Sequence, residues 1–309
     1  MLTKESRIYI AGHRGMVGSA LMRRFEAAGY STLLTATHAH LDLRDQGAVR
    51  AFFGVLAAAR VGGILANSTR PAEFLYDNLM IGTNVIHAAQ EVGVRKLLNL
   101  GSSCIYPRLA PQPLREESLL TGPLEETNRA YAVAKIAAIE LCDHFRAQYG
   151  SDFISAMPTN LYGPGDNFDL NSSHVMPALM RKMVEAKEKG SVAVEVWGSG
   201  RPLREFLHVD DLAGACLFLL ENVSRPGPIN VGTGEDLSIR ALAELMAELV
   251  GYGGELEFDA SKPDGTPRKL LDVSLLRSLG WSASIPLRQG VQQTLGWYTH
   301  HRQQGLVRA

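Results

Sequence analysis

Tyr131 and Lys135 stand four residues apart in YAVAK, inside a run with helical periodicity. Residues at i and i+4 share one face of a helix, so the spacing sets a phenol beside an ammonium. An ammonium in that place lowers the phenol's pKa and makes it a competent proton donor to a carbonyl under reduction. Such a carbonyl needs an orienting hydroxyl, and Ser102 in GSSC offers one just after a strand-like run, with Cys104 two residues on. Near the start, Gly12-His13-Arg14-Gly15-Met16-Val17-Gly18 forms G-x-x-G-x-x-G. Glycines in such a turn let backbone N–H groups approach a pyrophosphate, and the positive end of the following helix favours the same anion. Either pattern alone has a bland reading, a solvated helix face or a tight turn. Glycine turn, serine strand end and Tyr/Lys helix in this order point together to nicotinamide-dependent chemistry on a carbonyl.

These groups need a framework that brings them to one place. Residues 7–11 (RIYIA) read as a short buried strand, 19–28 as a helix ending at Gly29, and Leu33-Leu34 as the start of a second strand. Strand, glycine turn, helix, strand is the opening of a Rossmann-type doubly wound parallel sheet in an α/β protein, which binds ligands at the carboxyl ends of its strands. Residues 96–101 and 153–159 read as further buried strands, with helices near 84–91 and over 131–149. After Pro158 shorter strands (194–197 and 227–231) alternate with helices at 210–220 and 238–250, and a loop-rich stretch covers 259–272. The expected organisation is a dinucleotide-binding lobe, residues 1–158, followed by a smaller α/β lobe, mainly residues 159–309, closely packed against it.

The end of the second strand separates two dinucleotides. An acidic residue there suits the free ribose hydroxyl of NAD, and an arginine suits the 2′-phosphate of NADP. The segment Thr35-Ala36-Thr37-His38-Ala39-His40 has neither, which leaves Arg14 as the nearest strong phosphate partner and favours NADP. His38 and His40 either add charge when protonated or are simply solvated loop histidines.

Composition narrows the class further. Of 309 residues, 46% are hydrophobic and 20% charged, ordinary globular values that exclude disorder and coiled coil. A net charge of -1 gives no global attraction for nucleic acid or an anionic membrane, so phosphate-binding charge must be local. No stretch approaches the roughly 20 apolar residues of a membrane span, and MLTKESRIYIAG has no apolar signal core. Cys104, Cys142 and Cys216 are too few and scattered for a disulfide framework or a zinc knuckle, which suits a reducing cytosol and no metal. Cys142 and Cys216 fall in apolar helical stretches and are expected in the core.

The glycine turn, Ser102 and the Tyr131/Lys135 pair resemble the extended short-chain dehydrogenase/reductase family. The runs GHRGMVGSA, LGSSCIYP, YAVAKIA, MPTNLYGP, SSHVMPAL, VWGSG, REFLHVDD, INVGTG and DASKPDGTPRKLLDV are similar to the branch acting on GDP-4-keto-6-deoxy-D-mannose, over nearly the whole chain. That resemblance implies an NADPH-dependent epimerase and reductase of a GDP-sugar, yielding GDP-L-fucose. It implies Tyr131 as the acid of the reduction, Lys135 as its partner and Ser102 as the orienting hydroxyl. Cys104 matches the epimerisation base and His174 the epimerisation acid. Asn160, Trp197, Arg204 and Lys269 match substrate-side positions, and Lys182 stands where arginine is expected. The resemblance also implies a homodimer built partly from the helix carrying Tyr131. Three readings stay beside it: a ketosugar reductase that does not epimerise, a 4-epimerase with tightly held NAD, and a relative that binds NADP without turnover.

One segment departs from the pattern. Residues 48–53 (AVRAFF) end a helix, residues 57–63 (AAARVGG) resemble an active-site loop, and only Gly54, Val55 and Leu56 lie between them. A loop of 2–6 residues and a strand of 5–6 are usual there, so about seven residues are missing. A shortened strand beside the nicotinamide would loosen the site and lower activity.

Overall fold

The structure, a computed structural model, describes residues 2–52 and 70–307. The shortened segment around Gly54, Val55 and Leu56 therefore lies outside the described residues.

Strand β1 (Ile8–Tyr9) runs parallel to β2 (Leu33–Leu34), and helix α1 (Met16–Ala27) crosses between them. The helix begins three residues before its apolar periodicity becomes visible, because Gly18 of the turn already has helical neighbours. Helix α2 (Gln46–Phe52) follows, then α3 (Pro71–Glu91), whose proline at the first turn is preset for a helix start. Sequence periodicity reveals only the last third of α3. Its first half carries Asp77 and Asn78 on the buried side, where apolar residues would normally mark the face. Each has a partner: Asn78 Nδ2 donates to the Phe74 carbonyl at 2.8 Å, and Arg44 Nη1 donates to Asp77 Oδ1 at 3.3 Å.

A second parallel ladder holds β3 (Leu97–Leu100), β4 (Phe153–Pro158) and β8 (Pro228–Val231), with β4 in the middle. All six residues of β4 are buried, as a strand covered on both faces requires. Helix α4 (Arg129–Tyr149) packs on α3 and on β4. Among the described residues no hydrogen-bonded pairing joins the β1–β2 ladder to this one. Each strand of the first ladder is only two residues long.

Beyond β4 the chain builds β5 (Asn160–Tyr162), α5 (Val175–Lys189), β6 (Ala193–Trp197) and β7 (Leu203–His208). Helix α6 (Val209–Asn222) then returns to pack on α1, and β8 joins β4. Residues 209–231 thus belong spatially with the first layer although they follow Pro158. His208 caps α6, its Nδ1 accepting the Asp210 N–H at 3.2 Å. The rest comprises β9 (Asp236–Ser238), α7 (Ile239–Val250), β10 (Glu255–Asp259), β11 (Arg268–Lys269), α8 (Ser274–Ser278) and α9 (Leu287–Gln303). Strand β7 is the hub here, parallel to β5 and β11 and antiparallel to β9, while β10 runs parallel to β6. Met176, Met180, Met183, Leu242 and Met246 fill the core between α5 and α7. Cys142 and Cys216 are fully buried in the cores beneath α4 and α6, as expected.

Candidate active site

A cleft runs between the two halves of the molecule. The expected catalytic, cofactor and substrate residues line it, from the glycine turn through Ser102, Cys104, Tyr131, Lys135 and His174 to Lys182, Trp197, Arg204 and Lys269, with Asn160 on its wall; His40 does not.

The glycine turn is built for close approach. Gly12 adopts φ +62° and accepts the Gly15 N–H at 2.7 Å. A Cβ on Gly18 would lie 2.2 Å from the Gly12 carbonyl oxygen, so only glycine lets the turn close. No side chain caps α1, and its first turn has no acidic residue, so its opening N–H groups are left for an anion. Across the cleft Gly165, at φ +85°, comes so near that a Cβ would touch Met16 Cα at 3.5 Å. Arg14 is exposed beside the turn and makes no ion pair among the described residues. Uncapped amides, a glycine cradle and a free guanidinium fit a phosphorylated dinucleotide.

The reacting groups converge where β3 ends. Ser102 Oγ accepts the Cys104 N–H at 3.4 Å, capping a single 3₁₀ turn that sets Cys104 into the cleft floor. Lys135 reaches back from α4, donates to the Leu100 carbonyl at 2.7 Å, and sits 5.6 Å from the centre of the Tyr131 ring. Burial pulls the Lys135 pKa down to about 8, with Cys104 acting in the opposite direction. For Tyr131 the sequence expectation is reversed. Burial pushes its pKa well above the ordinary phenol value, and the charge of a Cys104 thiolate adds to the rise. The Lys135 ammonium is committed to a backbone carbonyl, so desolvation governs the phenol. A phenol that keeps its proton at neutral pH is what an acid requires.

The opposite wall comes from the second half of the chain. His174 precedes α5 without capping it. It lines the cleft as an exposed side chain, and the surrounding protein lowers its pKa, assisted by the charge of Lys269. Burial also lowers the Lys269 pKa, with Cys104 opposing and Arg204 reinforcing the effect. Arg204 donates to the Leu203 carbonyl at 2.8 Å and the Asp264 carbonyl at 3.1 Å. Further out, Trp197 is 52% exposed, so its ring face is available to a ligand. The ammoniums of Lys182 and Lys262 lie 5.6 and 5.5 Å from its centre. Lys182 donates to the Glu195 carbonyl at 2.9 Å, a single point contact where a guanidinium would make a fork.

Three acidic residues on this wall escape a reading of motifs. Asp264 accepts the Ser199 N–H and hydroxyl, each at 2.7 Å, and so anchors the loop that holds Arg204. Glu205 is fully buried, and its carboxylate accepts N–H groups of Thr233 (2.7 Å), Gly234 (2.8 Å) and Leu271 (3.0 Å). Asp166 accepts the Asn167 N–H at 2.7 Å through Oδ1, while buried Oδ2 has no hydrogen-bond partner and burial raises its pKa to about 7. Their only sequence signal is a charge placed within an otherwise apolar or glycine-rich motif. Among the described residues no cluster of three or more His, Cys, Asp or Glu side chains could hold a metal ion. No described helix is long and apolar enough to cross a membrane.

With this geometry in place, the likenesses to known proteins are informative. Residues 8–232 match the NAD dependent epimerase/dehydratase family. The chain is 56% identical to GDP-L-fucose synthase 1 of Arabidopsis thaliana, over 96% of this chain and 94% of that protein. It is 52% identical to the GDP-L-fucose synthase of Escherichia coli K12, over 96% and 98%. A crystal structure of a GDP-L-fucose synthetase from Naegleria fowleri bound to NADP superposes with a TM-score of 0.90 at 28% identity, covering 100% of this chain and 98% of that one.

Proposed function

Because the chain belongs to the NAD dependent epimerase/dehydratase family, we propose that it converts GDP-4-keto-6-deoxy-D-mannose to GDP-L-fucose by NADPH-dependent epimerisation and reduction. The observation that carries this reading is identity above one half, over nearly the full length, to GDP-L-fucose synthases of a plant and a bacterium. The glycine turn, Arg14, Tyr131 and Lys135 hold NADPH, which when bound supplies the hydride that reduces the ketone carbon.

The ketone acidifies the hydrogens on both flanking ring carbons. Cys104 Sγ takes one of these protons as a thiolate while the Ser102 and Tyr131 hydroxyls hold the enolate oxygen. His174 returns a proton from the opposite face; Cys104 then gives up its proton to solvent and His174 regains one, so that repetition at the second carbon inverts both centres. In the reduction Tyr131 donates its proton to the ketone oxygen as hydride arrives, and Lys135 offsets the developing phenolate charge. Arg204, Lys269 and Lys182 receive the diphosphate, with Trp197 and Asn160 flanking the rest of the nucleotide-sugar. Burial lowers the pKa of Lys269, and a diphosphate beside it raises that pKa again.

Residues 1–158 with the returning segment 209–231 carry the dinucleotide, and the remaining residues, mainly after 158, carry the sugar. The enzyme works in the cytosol as a homodimer. Val133 and Tyr149 on α4 and Tyr76 on α3 are exposed apolar groups for a second copy to cover. A mass of two chains by light scattering supports this pairing, and a monomer removes it.

NADPH oxidation with GDP-4-keto-6-deoxy-D-mannose, with the product read by NMR, tests the function. GDP-L-fucose is the expected product. Reduction without inversion would take Cys104 and His174 out of their roles. Cofactor binding without oxidation would leave a non-catalytic nucleotide binder.

A further inference from the structure

His174 differs from the other reacting groups in how it is held. Lys135 is fixed by the Leu100 carbonyl, and Cys104 by the turn that Ser102 caps. The His174 imidazole neither caps α5 nor bonds to any other described residue. Its place is therefore set by its backbone, at the end of the loop between β5 and α5. That loop lines the cleft at 165–167 and again at 170–176. Between the two, Phe168 turns away from the cleft and is fully buried. Its ring stacks on Tyr298 of α9, with centroids 4.3 Å apart and planes at 25°, and Trp297 lies near-parallel to it at 6.3 Å and 19°. The Phe168 carbonyl accepts Arg181 Nη1 of α5 at 3.1 Å. From this anchor to His174 the chain is short and braced. The Asp169 carbonyl accepts the Ser172 and Ser173 N–H groups at 3.1 and 2.8 Å, and Asn167 Nδ2 donates to Ser172 Oγ at 2.9 Å. Among the described residues, none of α9 lines the cleft.

We propose that Phe168 and Tyr298, with Trp297, form an aromatic clamp that positions His174 for epimerisation, so that helix α9, away from the cleft, governs inversion and not hydride transfer. Stacked rings fix both separation and angle, whereas an aliphatic side chain fills the space without fixing either. A proton donor has to meet its carbon closely, and a displacement of about 1 Å costs about a hundredfold in rate. Ser102, Tyr131 and Lys135 stand on the other wall, carried by the end of β3 and by α4, and do not depend on this loop.

The proposal rests on His174 being the epimerisation acid, and the experiment separates the two. Phe168→Leu, Tyr298→Leu and the conservative Tyr298→Phe are compared with wild type in deuterated water, with NADP in place of NADPH so that the chemistry stops at the ketone. Deuterium entering GDP-4-keto-6-deoxy-D-mannose is counted by mass spectrometry, and dissociation constants of GDP and NADPH are titrated on the same proteins. Both leucine variants should lose deuterium incorporation by about tenfold to a hundredfold while holding both nucleotides within about twofold of wild type. Tyr298→Phe keeps the stack and should match wild type. With NADPH present, the leucine variants should also release reduced sugar in which the flanking carbons are not inverted, read by NMR. Removal of a buried ring lowers stability, so thermal melting accompanies each protein, and Trp297→Leu, at the half-buried side of the stack, repeats the test if a buried-ring variant does not fold. Deuterium incorporation in the leucine variants within about twofold of wild type, or a loss matched by an equal loss of nucleotide binding, overturns the clamp. A wild type that incorporates no deuterium would instead overturn the epimerase reading itself.

Discussion

Tyr131 illustrates how burial decides the role of a single side chain. Burial holds its pKa above the ordinary phenol value, so it enters the reaction with its proton, as an acid. Tyr131→Phe removes that proton while leaving the ring in place. Turnover should fall by about 10²–10⁴-fold with NADPH binding nearly unchanged. Stopped-flow reduction beside a fluorescence titration measures both, and a phenylalanine variant with near-normal turnover would end the assignment. Lys135 gives the complementary test through pH. Its pKa is lowered to about 8, so its charge is lost as pH rises through that value, well before an ordinary lysine would lose it. Reduction should decline on the alkaline side near pH 8, and Lys135→Arg should carry that limb upward because a guanidinium stays charged. A limb that stays put in the arginine variant belongs to another group.

Elements with a strong local signature were legible in the sequence. The glycine turn, α1, β4, α4 and α7 announce themselves through glycine spacing, continuous apolar runs or helical periodicity. The first half of α3 did not, because its buried face carries Asp77 and Asn78, whose partners are far away in sequence or buried within the helix. The return of α6 and β8 to the first layer was also hidden, since which sheet a strand joins is settled by long-range pairing. Glu205 is a similar case: one carboxylate ties β7 to the loop after β8 and to Leu271 just beyond β11. Glu205→Gln would turn an N–H donor toward an N–H donor and leave a buried mismatch. The variant should lose about 2–3 kcal/mol of stability, read as a lower urea midpoint at unchanged slope. KM for the GDP-sugar should rise as well, because Lys269 sits on the strand that Glu205 secures. Unchanged stability would mean that water replaces the carboxylate without cost.

At the scale of the whole molecule, the two halves bring opposite requirements to one cleft. The wall from the first half supplies Cys104 and Tyr131, and the wall from the second supplies Lys269, Arg204 and His174. Without a ligand these cations oppose one another, and both burial and the charge of Lys269 hold the His174 pKa down. An imidazole with a lowered pKa is less readily protonated, so whatever offsets the charge of Lys269 favours its acid form. A nucleoside diphosphate placed among the cations cancels the repulsion that Lys269 exerts on His174. Binding of the substrate's remote diphosphate would thereby prepare the acid at the sugar, an instance of binding energy used to arm the chemistry. GDP alone, added to the intact protein with NADP present, should raise the His174 pKa. The Cε1 proton of His174, assigned by its absence in His174→Gln, reports the titration by NMR. GDP that binds yet leaves the titration where it was, or lowers it, would mean that burial alone sets this group and that the diphosphate plays no part in arming it.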